Sequence, residues 1–128
     1  MIDPLFKSDN FPLARKLLDA SVLRGNAIAA NIANAETPGY RRVDLAPSFS
    51  RELASIVESG ASTSAIDHIQ PQIAEDQFAR SMRPDGNTVD VEHELVEMNK
   101  NTVDYDYLTE IVSRDIRQLK VAITGQPN

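Results

Sequence analysis

The pattern of apolar and polar positions predicts a long helix near each end of the chain. In residues 11–35, apolar or small residues recur at alternating spacings of four and three: Ala14, Leu18, Ser21, Gly25, Ile28, Ile32 and Ala35. This is the heptad spacing of a helix that packs along one seam. Glycine costs about 1 kcal/mol of helix propensity relative to alanine, so Gly25 predicts a place where a partner helix comes close. We expect Leu18, Gly25, Ile28 and Ile32 to carry this contact.

A second heptad pattern, from about Asp90 to about Ile123, is the clearest feature of the sequence. Its positions are Val91, Leu95, Met98, Thr102, Tyr105, Thr109, Val112, Ile116, Leu119 and Ile123. A repeat sustained over this length is typical of a coiled coil. We therefore predict a mainly α fold in which the two long helices form an antiparallel coiled-coil-like hairpin. The seam residues expected in the second helix are Leu95, Met98, Tyr105, Val112, Ile116 and Leu119.

The segment between the two helices has an irregular, partly β pattern. Prolines interrupt it at Pro38, Pro47, Pro71 and Pro84. Residues 49–58 predict a short helix with Ser48 as a candidate cap, residues 60–64 predict a flexible link, and residues 66–82 predict one or two short strands around Pro71. We thus divide the chain into an N-terminal helix at 1–35, a variable middle region at 36–89 and a C-terminal helix at 90–128.

The first helix ends in a sharp turn, Glu36-Thr37-Pro38-Gly39-Tyr40. Pro38 and Gly39 suit the central positions of a type II turn, because proline presets φ and glycine tolerates a positive φ. Just before the turn, residues 27–33 are apolar nearly all round except at Asn31, which indicates burial on every side. A second apolar line would stay exposed against a single partner helix: Leu13, Leu17, Ala20 and Ala27. We therefore expect the hairpin to become fully ordered only in an assembly with neighbouring chains.

Composition narrows the classes of function. The net charge is −6 and the pI about 4.8, which argues against a nucleic-acid partner because that would need a basic patch. The absence of cysteine excludes disulfides and thiolate chemistry. No apolar run approaches the roughly 20 residues that span a bilayer, so direct membrane insertion is not expected. The first residues do not have the pattern of a cleaved secretory signal, which fits a cytoplasmic protein or one exported by a machine that does not read such signals.

Catalytic and metal-binding motifs are not found. His93-Glu94-Leu95-Val96-Glu97 misses the zinc motif H-E-x-x-H by its last position, and a polar helix flank is the simpler interpretation. Phosphate-binding glycine loops and nucleophile elbows do not occur either. We therefore predict no enzyme activity and no metal or cofactor. Tyr40 and Tyr105 are candidate interface anchors, with packing as the alternative, and Arg41-Arg42 is either a solvated pair or a contact to the acidic helix of a neighbour.

Two stretches resemble one family of proteins. Residues 29–40, Ala-Ala-Asn-Ile-Ala-Asn-Ala-Glu-Thr-Pro-Gly-Tyr, closely resemble the N-terminal signature A-x-N-I-A-N-x-x-T-P-G-Y of the bacterial flagellar axial proteins, which are rod, hook and related subunits. Residues 85–95 are similar to the D-G-N-x-V-D-x-x-x-E-M segment of the rod proteins, with Leu95 where methionine is usual. The helix over residues 105–123 is also similar to the C-terminal helix of a rod subunit.

This resemblance implies a structural subunit of the flagellar basal-body rod, the drive shaft that links the membrane ring to the hook. It implies export through the flagellar type III apparatus without a cleaved signal, and assembly in the periplasm with its own copies, sibling rod proteins, and membrane-ring and rod-adaptor proteins. The two terminal helices would form the inner tube. The implied assembly signature is Asn31, Ile32, Asn34, Thr37, Pro38, Gly39 and Tyr40. The two asparagines would bond between helices, residues 37–39 would fix the exit angle, and Tyr40 would contact a neighbour.

Two other classes of function remain as alternatives. A soluble helical adaptor or export chaperone that binds a partner helix would explain the acidic charge and the exposed apolar lines. It would not need the Thr-Pro-Gly-Tyr turn. A small hydrolase is disfavoured because its motifs are not found.

Overall fold

The computed structural model describes residues 10–60, 62–80 and 82–126. Its elements in chain order are α1 (Asn10–Ala33), β1 (Val43–Leu45), α2 (Pro47–Ser59), α3 (Thr63–His68), β2 (Ile73–Glu75) and α4 (Val91–Thr124). The two strands form an antiparallel pair in which Val43 lies opposite Glu75 and Leu45 opposite Ile73. The protein is thus mainly helical with a long helix near each end, as predicted. It also has a small two-stranded sheet, whose first strand lies outside the residues for which strands are predicted.

The two long helices pack against each other with their contacts in opposite chain order. Nδ2 of Asn101 donates to the carbonyl of Ser21 at 2.9 Å, and Asn31, further along α1, donates to Glu94, nearer the start of α4. The helices are close here, since a Cβ at Gly25 would lie 3.1 Å from Nδ2 of Asn101.

Within one chain, α4 turns a different face to α1 from the one that its heptad predicts. Glu94 and Asn101 are buried, whereas the seam residue Leu95 is 49% exposed. Ile116 and Leu119 are 53% and 62% exposed. Of the other predicted seam residues, Tyr105 is exposed and Ile28 is buried. The rest are half-buried: Leu18, Gly25, Ile32, Met98 and Val112. The physical reason is that α1 offers hydrogen-bonding partners, which attract the polar face of α4.

The second apolar line of α1 packs in part against the middle of the chain. Ala20 belongs to the core with four residues of α2, α3 and the residue after α3: Phe49, Leu53, Ile66 and Ile69. Leu13 and Leu17 pack against this cluster. Burying a large aliphatic side chain contributes about 1.5–3 kcal/mol, so this core stabilises the single chain. Contacts within the chain therefore cover part of this line, which we expected to stay exposed, and Leu13 and Leu17 remain half-buried.

The middle segment is more regular than its sequence indicates. The short helix predicted at residues 49–58 is confirmed as α2, although it begins at Pro47 with Ala46 as its N-cap, so Ser48 is not the cap. The predicted strand near Pro71 is confirmed as β2. Helix α3 occupies residues for which a link and a strand are predicted. Burial of Ile66 and Ile69 against α2 and α1 stabilises a helix that is too short to form from local propensity alone.

Candidate functional site at the turn after α1

The turn that follows α1 has the geometry that Pro38 and Gly39 predict. The amide of Tyr40 donates to the carbonyl of Thr37 at 3.2 Å, which closes a four-residue turn. Gly39 has φ +74°, the positive value that the third residue of a type II turn requires. The amide of Thr37 in turn donates to the carbonyl of Asn34 at 3.0 Å. The predicted turn is therefore confirmed.

Asn87 holds the end of α1 in place. Its side chain is fully buried, and Nδ2 donates to the carbonyls of Asn34, Ala35 and Thr37 at 3.0, 3.1 and 2.8 Å. These carbonyls belong to the turn that follows α1, which ends at Ala33, and Asn87 supplies their donor from a distant part of the chain. The sequence alone does not single out Asn87, and its only signal is its place in the segment that resembles D-G-N-x-V-D.

Backbone hydrogen bonds join the same two segments. The amide of Gly39 donates to the carbonyl of Asp85 at 2.9 Å, and the amide of Thr88 donates to the carbonyl of Tyr40 at 3.1 Å. Oγ1 of Thr88 accepts from the amide of Arg42 at 2.7 Å. The two stretches that carry the family resemblance, which are far apart in the sequence, thus form one connected structure.

Asn31 connects α1 to the strand that follows the turn. Its side chain is fully buried. Nδ2 donates to the carbonyl of Val43 at 2.8 Å, and Oδ1 accepts from the amide of the same residue at 2.9 Å. The side-chain amide therefore pairs with β1 as a neighbouring strand would. Nδ2 also reaches Oε2 of Glu94 at 3.2 Å, and the hydroxyl of Tyr40 donates to Oδ1 at 3.3 Å.

Two arginines hold four carboxylates beside Asn31. Arg42 donates from Nε to Glu94 and lies with Nη1 2.9 Å from Asp76 and 3.0 Å from Asp44. Arg24 binds Asp44 at 2.9 Å and Glu97 at 2.6 Å. The side chain of Arg42 is only 6% exposed, so its interpretation as half of a solvated pair is wrong, whereas Arg41 is exposed. This ion network joins α1, α4, β1 and the residue that follows β2.

The pKa values of four members of the network shift in the direction that favours their charged forms. Burial alone would lower the pKa of Arg42, but the bond and charge of Glu94, with those of Asp44, raise it above the ordinary value. The hydrogen bond to Asp44 is the main cause of a raised pKa at Arg24. Burial would raise the pKa of Asp44, yet hydrogen bonds from Arg24 and the Leu45 amide lower it. The bond from Arg24 is also the main cause of a lowered pKa at Glu97.

Tyr40 is the aromatic member of the site. Burial raises the pKa of its hydroxyl, with the charge of Glu94 as a smaller cause, so the group stays protonated and can donate to Asn31. The ring is half-buried. A residue that contacts its own chain in this way fixes the turn against α1.

The remaining predicted site residues lie at or near the surface. Asn34 donates from Nδ2 to the carbonyl of Ala30 at 2.9 Å, in its own helix. Oγ1 of Thr37 donates to Oδ1 of Asn34 at 3.2 Å. Pro38 is exposed and Ile32 is half-buried. Of the predicted signature, the structure therefore brings Asn31 and Tyr40 into the buried network and leaves Asn34, Thr37 and Pro38 on its outer side.

Other kinds of site are not evident in the described part of the chain. Within residues 10–60, 62–80 and 82–126, no group of three metal-ligating side chains is positioned to hold an ion. His93 is exposed. Over the same residues, no helix combines the length and apolarity needed to cross a bilayer. The arrangement at the turn can therefore position helices and a loop, through buried polar contacts.

Known proteins share this part of the chain. A family model described as "Flagella basal body rod protein" matches residues 23–41, which include Asn31 and the turn. The protein named "Flagellar basal body rod protein FlgB" of Escherichia coli (strain K12) is 30% identical over 132 residues, covering 91% of this chain and 93% of that protein. The protein of the same name from Aeromonas hydrophila is 30% identical with the same coverage. That of Cereibacter sphaeroides is 34% identical over 110 residues, covering 80% and 84%.

Proposed function

The chain belongs to the FlgB family of flagellar basal-body rod proteins, and from this premise we propose that the outward face of α4 is its main assembly surface. The chain is a structural subunit of the basal-body rod, not an enzyme, and it assembles with other rod proteins in the basal body. How it does so follows from the faces that its two long helices leave open.

The exposed heptad of α4 is the observation that carries the proposal. Its apolar residues continue along a helix of 34 residues, and Leu95, Ile116 and Leu119 are about half exposed or more. The neighbouring polar face of α4, with Glu94 and Asn101, already contacts α1. A heptad seam is a surface for another helix, and the helix that it meets would come from a neighbouring subunit.

The buried network at the turn gives the hairpin its fixed shape. α1 and α4 would form the coiled-coil-like wall of the rod, with residues 1–35 and 90–128 as the axial core and residues 36–89 as the variable middle. Asn31, Arg42 and Glu94 would hold the middle at one angle to that wall. Buried polar groups of this kind specify a geometry more than they add stability.

The proposed surroundings follow from the family. The partners would be other copies of this chain, sibling rod proteins, and membrane-ring and rod-adaptor proteins of the basal body. The chain would reach the periplasm through the flagellar export apparatus without a cleaved signal. The resemblance of residues 29–40 and 85–95 to the axial proteins supports these proposals.

A matched pair of variants tests the role of the seam. Leu95 and Val96 are 49% and 50% exposed, but adjacent residues on a helix point about 100° apart, so only Leu95 lies on the heptad. In a strain whose own copy of the gene is deleted, Leu95→Asp should abolish swimming and remove the protein from isolated basal bodies. Val96→Asp should leave both unchanged. Equal loss in both variants, or normal swimming with Leu95→Asp, would contradict the proposal.

A further inference from the structure

An open apolar groove runs along α1 between α2 and α4. It has a volume of about 610 Å³. Leu13, Leu17 and Ala20 of α1 form its floor, Phe49 and Leu53 of α2 form one wall, and Leu108 belongs to the other. The floor runs from Leu13 to Arg24, which is about 17 Å of helix at a rise of 1.5 Å per residue. The groove is therefore as long as about three turns of a helix.

Both walls of the groove carry an acidic residue. Glu58 lies on α2 and Asp104 on α4, and both are exposed and line the groove. Arg24, at one end, is already bound by Asp44 and Glu97. The charge left at the rim is thus negative, which favours an occupant with apolar residues on one face and basic residues beside them.

The C-terminal end of α4 has these properties. Ile116, Leu119 and Ile123 are 53%, 62% and 75% exposed, and their spacing of three and four residues puts them on one face of the helix. Lys120 and Arg117 are exposed beside that face. Residues 113–124 span about 18 Å of helix, which matches the length of the groove.

We propose that the C-terminal end of α4 of one copy docks in the groove between α2 and α4 of a second copy. The proposal rests on the function as a rod subunit and adds which segment meets which surface. A chain cannot fill its own groove in this way, because Asp104 and Leu108 of its α4 already form a wall while the end of the same helix leads away. The contact joins two different surfaces, and such a contact repeats from copy to copy into a ring or an open filament.

Disulfide trapping tests this contact, since the chain has no cysteine. Ala54 lines the groove, whereas Ser55 lies on another face of α2, and both are exposed. Purified full-length chains with Ala54→Cys and with Leu119→Cys are mixed and mildly oxidised, and the mixed dimer is measured by mass spectrometry. Its yield should exceed that of the control mixture, Ser55→Cys with Leu119→Cys, about tenfold or more, because docking raises the effective concentration of the two thiols.

Charge-reversal variants and isolated basal bodies provide two further tests of the contact. Lys120→Glu in the Leu119→Cys chain should lower the yield, and Asp104→Lys in the Ala54→Cys chain should restore it. Basal bodies isolated from cells that make both cysteine variants should contain the same disulfide. Equal yields for the two mixtures, no Ala54–Leu119 disulfide in either preparation, or a disulfide from position 54 to another protein would overturn the proposal.

The outcomes also separate this proposal from the function on which it rests. Swimming cells whose basal bodies contain the protein but not the disulfide would refute the docking alone. A disulfide between purified chains that are absent from basal bodies would refute the role in the rod.

Discussion

Removing the side-chain amide of Asn31 should destabilise the chain more than any other single change in the signature. In Asn31→Ala, the amide and the carbonyl of Val43 both lose their partner, and Glu94 loses a donor. A buried polar group left unsatisfied costs about 1–3 kcal/mol. Two such groups at Val43 give an expected loss of about 2–6 kcal/mol in the free energy of unfolding. Asn34→Ala is the control, because Asn34 donates one bond within its own helix and should cost about 1 kcal/mol or less.

Urea unfolding of the purified chain, followed by circular dichroism at 222 nm, measures both variants. With a slope of about 2 kcal/mol per molar urea, the middle of the usual range, Asn31→Ala should lower the midpoint by about 1–3 M with an unchanged slope. The Asn31→Asp variant distinguishes the effect of lost hydrogen bonds from the effect of lost side-chain volume. It keeps the shape of asparagine but cannot donate to Val43 or Glu94, so it should be at least as destabilising. Equal midpoints for Asn31→Ala and Asn34→Ala, or a stable Asn31→Asp variant, would refute this account of Asn31.

Two further predictions concern the turn and the ion network. At Gly39, φ is +74° and a Cβ would meet nothing within 4 Å, so a side chain there is costly only because of the backbone conformation. Gly39→Val should lower the free energy of unfolding by about 1–3 kcal/mol and impair swimming. Gly39→Asn should have a much smaller effect on both. An equal urea midpoint for both would contradict this. Asp44 and Glu97 have pKa values below their ordinary ones in the folded chain, so the stability that they contribute is present above about pH 4 and is lost as the pH falls through the folded values. The free energy of unfolding should therefore decrease as the pH is lowered from 6 to 3, and it should decrease less in Asp44→Asn. The same dependence of unfolding free energy on pH in that variant and in the unchanged chain would count against the network.

The helices could be predicted from sequence better than their orientation. Heptad spacing marks α1 and α4 because apolar residues recur on one face, whatever that face contacts. It does not tell which face meets which partner. Glu94 and Asn101 face α1 because Asn31 and the Ser21 carbonyl lie there to bond them, and a hydrophobic pattern contains no information about such pairs.

The site could be predicted in part. Asn31 stands out as the polar residue in an apolar stretch, and Pro38-Gly39 predicts its own turn. Arg42 is missed because two adjacent arginines usually lie in solvent. The signal that could have found it is the alternation of Arg42 and Asp44 with Val43 and Leu45, which puts the two charges on one face of a strand.

The partners of Asn87 could not be predicted. It bonds to carbonyls of residues 34, 35 and 37, about fifty positions earlier in the chain. Only the three-dimensional fold brings these groups together. Residues 29–40 and residues 85–95 both resemble rod proteins, which indicates that each stretch has a role. The resemblance does not indicate that the two stretches bond to each other.

A cryo-electron microscopy reconstruction of isolated basal bodies tests the central claim most directly. The claim is that the heptad of α4 faces neighbouring subunits while its polar face, with Glu94 and Asn101, stays against α1. The account predicts that Leu95, Tyr105 and Ile116 lie in van der Waals contact with helices of adjacent subunits. A rod in which these residues face open solvent, or in which the heptad has turned inward against α1 of the same chain, would contradict it.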